Sequence, residues 1–306
     1  MNALTEEEAA MLQELVQAQA QAQAQADQDR GSLHCQGLQI AAQRQGPVLA
    51  VVDALLRPGR VTAILGPNGA GKSTLLATLC GTQAPQQGQL RWDGQALARL
   101  PATQRALRMA VMHQDTQLAF AFTVQEVVEM GRYPHRRSPV PDEAAIVQHC
   151  LRSTGVAALA QREMATLSGG ERARVQLARA LAQLHAPVGA LAGSRWLLLD
   201  EPTAALDLQH QHQAMALVRA RALQAGLGVV VVLHDLNLAL RYADDVLLLP
   251  GQGAAAQLGP VREVLSLDCI ARVWRMQGEF AVTSDGTPQF IAGACCSQRP
   301  QQDGLG

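Results

Sequence analysis

Hydrophobic positions fall into two rhythms along this chain. The runs 196–199 (WLLL), 229–233 (VVVVL) and 246–249 (VLLL) are apolar throughout, and 61–65 (VTAIL) is so but for Thr62, as strands covered on both faces are. Between them lie stretches with helical spacing. In 171–184, Val175, Ala178, Leu181 and Ala182 recur on one face and predict a helix. A second helix is predicted over 73–79, directly after the first run. Strand-like 89–92 lies in a mixed stretch, 85–135, that predicts an added antiparallel layer. The alternation predicts an α/β fold built on a largely parallel sheet.

The predicted fold starts near Gly31. Before it, 17–26 reads QAQAQAQAQA. Ala and Gln favour helix but offer no apolar face to bury, so 1–30 is expected to be an extension outside the folded unit, helical over 4–16 at most. Residues 185–195 (HAPVGALAGSR) predict a loop, and the tail beyond 291 is expected to lack structure. With 306 residues, 48% of them hydrophobic and 17% charged, the chain has ample length for a buried core and is not of the disordered class.

Charge and composition narrow the function classes. Lys and Arg total 25 against 26 Asp and Glu, a net charge of -1, and aromatics make up only 3%. Neither a basic balance nor a base-stacking surface speaks for nucleic acid as a partner. No run approaches the ~18 apolar residues of a membrane span, and the acidic start of the chain does not resemble a secretion signal. The six cysteines show no CxxC spacing. They predict a reduced, cytosolic protein, with the vicinal Cys295 and Cys296 inert in the tail.

Two segments carry chemistry. Gly66, Pro67, Asn68, Gly69, Ala70, Gly71, Lys72, Ser73 and Thr74 fit GxxxxGK[ST] between a predicted strand and a predicted helix, the context that motif requires. Glycines let backbone N–H groups curl around phosphate oxygens, and the helix start adds a favourable dipole. Lys72 supplies a point charge for the β and γ phosphates, and the Ser73 hydroxyl suits Mg²⁺. The run 196–199 then ends in Asp200 and Glu201, two acids at the carboxyl end of a strand, where open α/β sheets bind ligands. Asp200 is expected to hold Mg²⁺ through water, and Glu201 to act as general base on the attacking water.

A third motif, Leu167-Ser168-Gly169-Gly170-Glu171, opens a predicted helix. The trio resembles the ATPase subunit of ATP-binding cassette (ABC) transporters over residues 31–291. Gln114 fits the family's Q-loop, Asp207 in AALD its D-loop, and His234 its switch histidine. The resemblance implies a P-loop NTPase fold with a RecA-like core, an antiparallel β layer and a helical subdomain at about 115–180. It implies ATP and Mg²⁺ as the bound species. Ser73, Gln114 and Asp200 are then the Mg²⁺ set, Glu201, His234 and Gln114 the catalytic set, and residues 66–74 the triphosphate cradle. Ser168, Gly169, Gly170 and Glu171 are implied to face ATP on the opposite subunit, so that a homodimer is required, with Asp207 near its interface. One departure stands out: residues 31–65 hold no Phe, Trp or Tyr to stack on adenine as most members do, and Gln43 or Arg44 occupies that neighbourhood.

Cargo rests on finer resemblance. Residues 118–135 (LAFAFTVQEVVEMGRYPH) are similar to importers of iron chelates, haem and cobalamin. The long interval between Leu167 and Asp200 resembles the haem (hemin) import ATPases. That likeness implies two transmembrane permease subunits, a periplasmic haem-binding protein as indirect partner, and a peripheral place on the cytoplasmic face of the inner membrane. Phe120 and Phe122 are expected to form an apolar docking groove rimmed by Arg132, Arg136 and Arg137. His210 and His212, on a Gln-rich helix surface, are expected to be solvated and to bind no ligand. Ferric siderophore or cobalamin import is the alternative. A soluble ABC protein of DNA repair or translation lacks support, because the chain has neither paired cassettes nor a long coiled-coil insertion.

Overall fold

The computed structural model describes residues 30–43, 45–113, 121–185 and 193–295. The expectations for the 1–29 extension, Arg44, Gln114, Phe120, the centre of the 185–195 loop and Cys296 lie outside them.

The chain runs β1(Leu33–Ala41), β2(Val48–Leu56), β3(Val61–Leu65), α1(Lys72–Leu79), β4(Gln87–Trp92), β5(Gln95–Ala96), α2(Ala102–Arg108) and β6(Met109–Met112). Then come α3(Val124–Met130), α4(Glu143–Ser153), α5(Gly169–Leu184), β7(Trp196–Asp200), α6(Leu208–Ala225), β8(Gly228–Val232), α7(Leu236–Tyr242) and β9(Asp245–Leu248). It closes with β10(Gln257–Pro260), α8(Val261–Val264), α9(Leu267–Trp274), β11(Met276–Val282) and β12(Pro288–Cys295).

The central sheet has the order β10-β9-β3-β8-β7-β6, parallel except for β10 on its edge. The central strands β3, β8 and β7 are buried along their whole length because both faces are covered. Val61, Ala63, Leu65, Leu197, Leu199, Val229 and Val231 point into one core, shared with α3, α4 and α5. Ile64, Leu198, Val230, Val232 and Leu247 point into the other, shared with α1 and the antiparallel sheet β2-β1-β4-β5. The antiparallel layer is therefore present, but β1 and β2 supply most of it. From the 85–135 stretch only β4 and β5 join it, whereas β6 pairs parallel with β7.

A hydrogen-bonded joint ties the layers together beneath the sheet. Trp196 Nε1 donates to Gly31 O at 3.1 Å, Trp92 Nε1 donates to Ser194 Oγ at 3.0 Å, and Ser194 Oγ donates to Gly31 O at 2.5 Å. Both indoles are fully buried, so each N–H needs such a partner.

The end of the chain departs from expectation. β11 and β12 pair as an antiparallel hairpin, and β12 continues past residue 291 to Cys295. Phe290, buried in the larger core, and Phe280, packed against that core, fix the hairpin to the body of the molecule. The stretch 292–295 looks like tail in sequence, and it is drawn into the strand that Phe290 anchors.

Candidate functional site

Three adjacent strands, β3, β8 and β7, end together and deliver the predicted chemistry to one edge of the sheet. The phosphate loop leaves β3 through Gly66 at φ 151, Gly69 at φ 78 and Gly71 at φ 96. A Cβ on Gly66 would stand 2.2 Å from Leu249 O, so no side chain fits there. Helix α1 opens at Lys72 without any side-chain cap. Its first-turn N–H groups thus lack an intrahelical partner and suit an anion.

Lys72 is buried and folds back over the loop. Its Nζ donates to Gly66 O at 3.0 Å and to Pro67 O at 3.1 Å. Burial pushes its pKa down, while the charges of Glu201 and Asp200 oppose that shift. A phosphate would replace two neutral acceptors with an anionic one, which is the stronger partner for an ammonium.

Ser73 Oγ donates to Asp200 Oδ1 at 3.1 Å, joining the start of α1 to the end of β7. Burial raises the Asp200 carboxyl, the Ser73 bond lowers it and the neighbouring Glu201 charge raises it further. A hydroxyl and a carboxylate side by side are the hard oxygen donors that Mg²⁺ takes with several of its waters retained, so the residues present fit that ion. Among the described residues no group of three or more His, Cys, Asp and Glu side chains forms another metal site.

Glu201 follows on a left-handed backbone at φ 49. His234, beyond the end of β8, brings Nε2 to 2.6 Å from Glu201 Oε1. Only 16% of the Glu201 side chain is exposed, against 47% of His234. Leu233, His234, Gly66, Pro67 and Asn68 line one side of a cavity whose other wall is Val273, Trp274 and Arg275 from the end of α9. Nothing in the local sequence around 273–275 signals that proximity.

The segment 168–171 sits elsewhere. Ser168 caps α5: its Oγ accepts from Glu171 N at 3.2 Å, and Glu171 Oε2 accepts from Ser168 N at 2.8 Å. This capping box holds the Glu171 carboxyl below its usual range, chiefly through the Ser168 backbone N–H. Gly169 and Gly170 lie against the 203–206 turn, where a Cβ on Gly170 would stand 3.0 Å from Ala205 O. Asp207 caps α6, accepting from His210 N at 2.9 Å. Among the described residues no hydrogen bond joins 168–171 to 66–74.

Three expectations are corrected. Arg132 is not a rim residue but 7% exposed: it forks onto Glu143 at 2.5 and 3.1 Å and donates to Ala182 O and His185 O at 2.7 Å each. Phe122 is half-buried against the core instead of lining an open groove. His210 and His212 are half-buried rather than solvated, with Nδ1 on Asp207 at 2.8 Å and on the Tyr242 hydroxyl at 2.9 Å respectively. Tyr133, Arg136 and Arg137 nearby are exposed, with the Arg136 guanidinium 4.1 Å from the Tyr133 ring centre.

Known proteins share this arrangement. Hemin import ATP-binding protein HmuV of Myxococcus xanthus is 46% identical over 248 residues, covering 80% of this chain and 91% of that protein. A metal-chelate type ABC transporter in an inward-facing conformation superposes with TM-score 0.71 at 27% identity, over 87% of this chain and 98% of that one. A dimeric bacterial ABC transporter cassette superposes with TM-score 0.64 at 26% identity, over 75% and 99%. Residues 49–204, which run from β2 through the phosphate loop and the capped α5 to just beyond Glu201, match the ABC transporter family. The chain belongs to that family and has its ATPase fold.

Proposed function

We propose that this chain is the ATP-hydrolysing subunit of an importer that carries haem (hemin) across a bacterial inner membrane. The observation that carries the ATPase reading is the Glu201–His234 contact of 2.6 Å beside the Ser73–Asp200 contact of 3.1 Å. The haem cargo is supported by the likeness to a hemin import ATP-binding protein.

In this reading the N–H groups of 68–74 and Lys72 Nζ hold the β and γ phosphates, and Ser73, Gln114 and Asp200 would hold Mg²⁺ with its waters. Bound there, Mg²⁺ would supply charge neutralisation at the phosphate oxygens. Glu201 Oε2 takes a proton from water whose oxygen bonds to the γ phosphorus. The P–O bond to the β phosphate breaks, and its electron pair leaves with ADP. His234 holds the carboxylate in line. Positioning and a general base of this kind contribute about 10²- to 10⁴-fold.

Ser168, Gly169 and Gly170, with Asp207 near the interface, complete the site of a second copy, so two chains closed by two ATP form the working unit. The dimeric likeness supports that assembly. No helix among the described residues is long and apolar enough to cross a membrane. In the proposed assembly the span belongs to two permease subunits, this chain docks on them from the cytoplasmic face, and haem reaches them from a periplasmic binding protein. The likeness to a metal-chelate type transporter favours ferric siderophore or cobalamin as the second reading.

The test replaces the native gene with Glu201→Gln and supplies single iron sources. Loss of growth on hemin with siderophore use intact is expected. Loss on a ferric siderophore alone overturns the cargo, and unchanged ATP turnover in the purified variant overturns the ATPase reading.

A further inference from the structure

Asn237 ties the C-terminal hairpin to the loop that carries His234. It lies in the first turn of α7, three residues after His234. Its Nδ2 donates to Phe290 O at 3.2 Å and its Oδ1 accepts from Phe290 N at 2.7 Å. One amide thus satisfies both backbone groups of a single residue on β12. The same first turn is tied back to the switch loop, where Asp235 Oδ1 accepts from Asn237 N at 2.7 Å and from Leu238 N at 3.2 Å. At the far end of α7, Arg241 Nη2 donates to Asp285 Oδ2 at 2.6 Å. Asp285 in turn holds the hairpin turn through Thr287 N at 3.2 Å. The hairpin therefore grips α7 at both ends.

A second route reaches the same loop. The hairpin starts at Met276, one residue beyond Arg275, which takes φ 56. Trp274 and Arg275 wall the cavity whose opposite side is His234 and the phosphate loop. Held from α7 on one side and bordered by α9 on the other, the 233–235 segment has little freedom while the hairpin is docked.

Resting on the ATPase reading above, we propose that Asn237 is a positioning residue. It acts through Asp235 and the first turn of α7 to keep His234 against Glu201, and the docked hairpin is the element that sets this contact. A ligand or partner that lifts the hairpin would slow hydrolysis without touching the nucleotide.

The test is Asn237→Ala in the full chain, with Glu201→Gln in parallel. Three readouts are taken: steady-state ATP turnover, hydrogen exchange at the Phe290 amide, and the ring resonance of His234 in ¹³C-histidine-labelled protein, assigned with His234→Gln. Faster exchange at Phe290 is expected, with kcat down about tenfold or more, KM within about twofold, and the His234 resonance moved toward its position in Glu201→Gln. Unchanged exchange overturns the proposal. So does faster exchange with wild-type kcat, or a fall in kcat that leaves the His234 resonance in place. If Asn237→Ala does not fold, Asn237→Ser, whose shorter side chain reaches neither backbone group of Phe290, is read in the same way. Unimpaired turnover by Glu201→Gln sinks the underlying ATPase reading. Wild-type behaviour of the Asn237 variant beside a dead Glu201→Gln sinks only this inference.

Discussion

Glu201 reaches His234 at 2.6 Å from a backbone at φ 49. A left-handed non-glycine residue costs roughly 1–2 kcal/mol, and here the strain turns the carboxylate out of the strand axis toward β8. Asp200, one residue earlier, ends the strand in register with Val232 and points to Ser73 instead. The kink after Asp200 is what gives two consecutive acids separate partners.

The two members of this contact are expected to act as a unit. Glu201→Gln and His234→Ala should each lower kcat by about 10²-fold or more. The double variant should be little worse than the weaker single, because groups acting together are not additive. Phosphate release under saturating ATP measures this, and multiplied losses would separate the two roles.

Lys72→Ala removes the donor that closes the phosphate loop on itself and the charge that meets a phosphate. With ATP at about 100 times the wild-type Kd, the wild-type chain should gain about 2.7 kcal/mol of stability. The variant should gain almost none. Thermal melts with and without nucleotide decide the matter.

Two glycines of the cradle should respond differently to alanine. At Gly66 the new Cβ meets Leu249 O at 2.2 Å, whereas at Gly69 it meets nothing within 4 Å. Gly69→Ala should cost about 1 kcal/mol of backbone strain and still bind nucleotide. Gly66→Ala must displace β9 or the loop and should lose binding. Equal affinities in a fluorescent-nucleotide titration would refute the difference.

Arg132→Ala should destabilise the fold by about 3 kcal/mol, since it strands Glu143 and two carbonyls. The Arg132 bond holds the Glu143 carboxyl below its usual value of 4.5. A depressed carboxylate contributes stability that is fully present above its unfolded pKa and lost as pH falls through the folded one. Wild-type stability should therefore decline below about pH 4.5 more steeply than that of the variant. Urea denaturation across pH 3–7 compares the two.

Four of the six central strands were legible because 61–65, 196–199, 229–233 and 246–249 are buried and read as almost wholly apolar runs. β1 was harder to see. A register shift between Cys35 and Leu38 breaks the period-two alternation by which a half-buried strand is recognised. The acids, the phosphate loop and His234 were visible as local motifs at strand ends. Arg132 looked like one of three surface arginines because its partners, Glu143 and the end of α5, come from elsewhere in the chain. Asn237 gave no sign at all, since what it binds is the backbone of a residue 53 positions away, and a backbone has no signature in sequence.

The three tryptophans divide the molecule optically. Trp92 and Trp196 are sealed in the joint beneath the sheet and should emit at short wavelength whatever occupies the phosphate loop. Trp274 is half-buried across the cavity from His234 and Pro67, the one indole whose surroundings change when that wall moves. A red or blue shift riding on a constant background is thus an internal reading of the switch region, taken with no label attached.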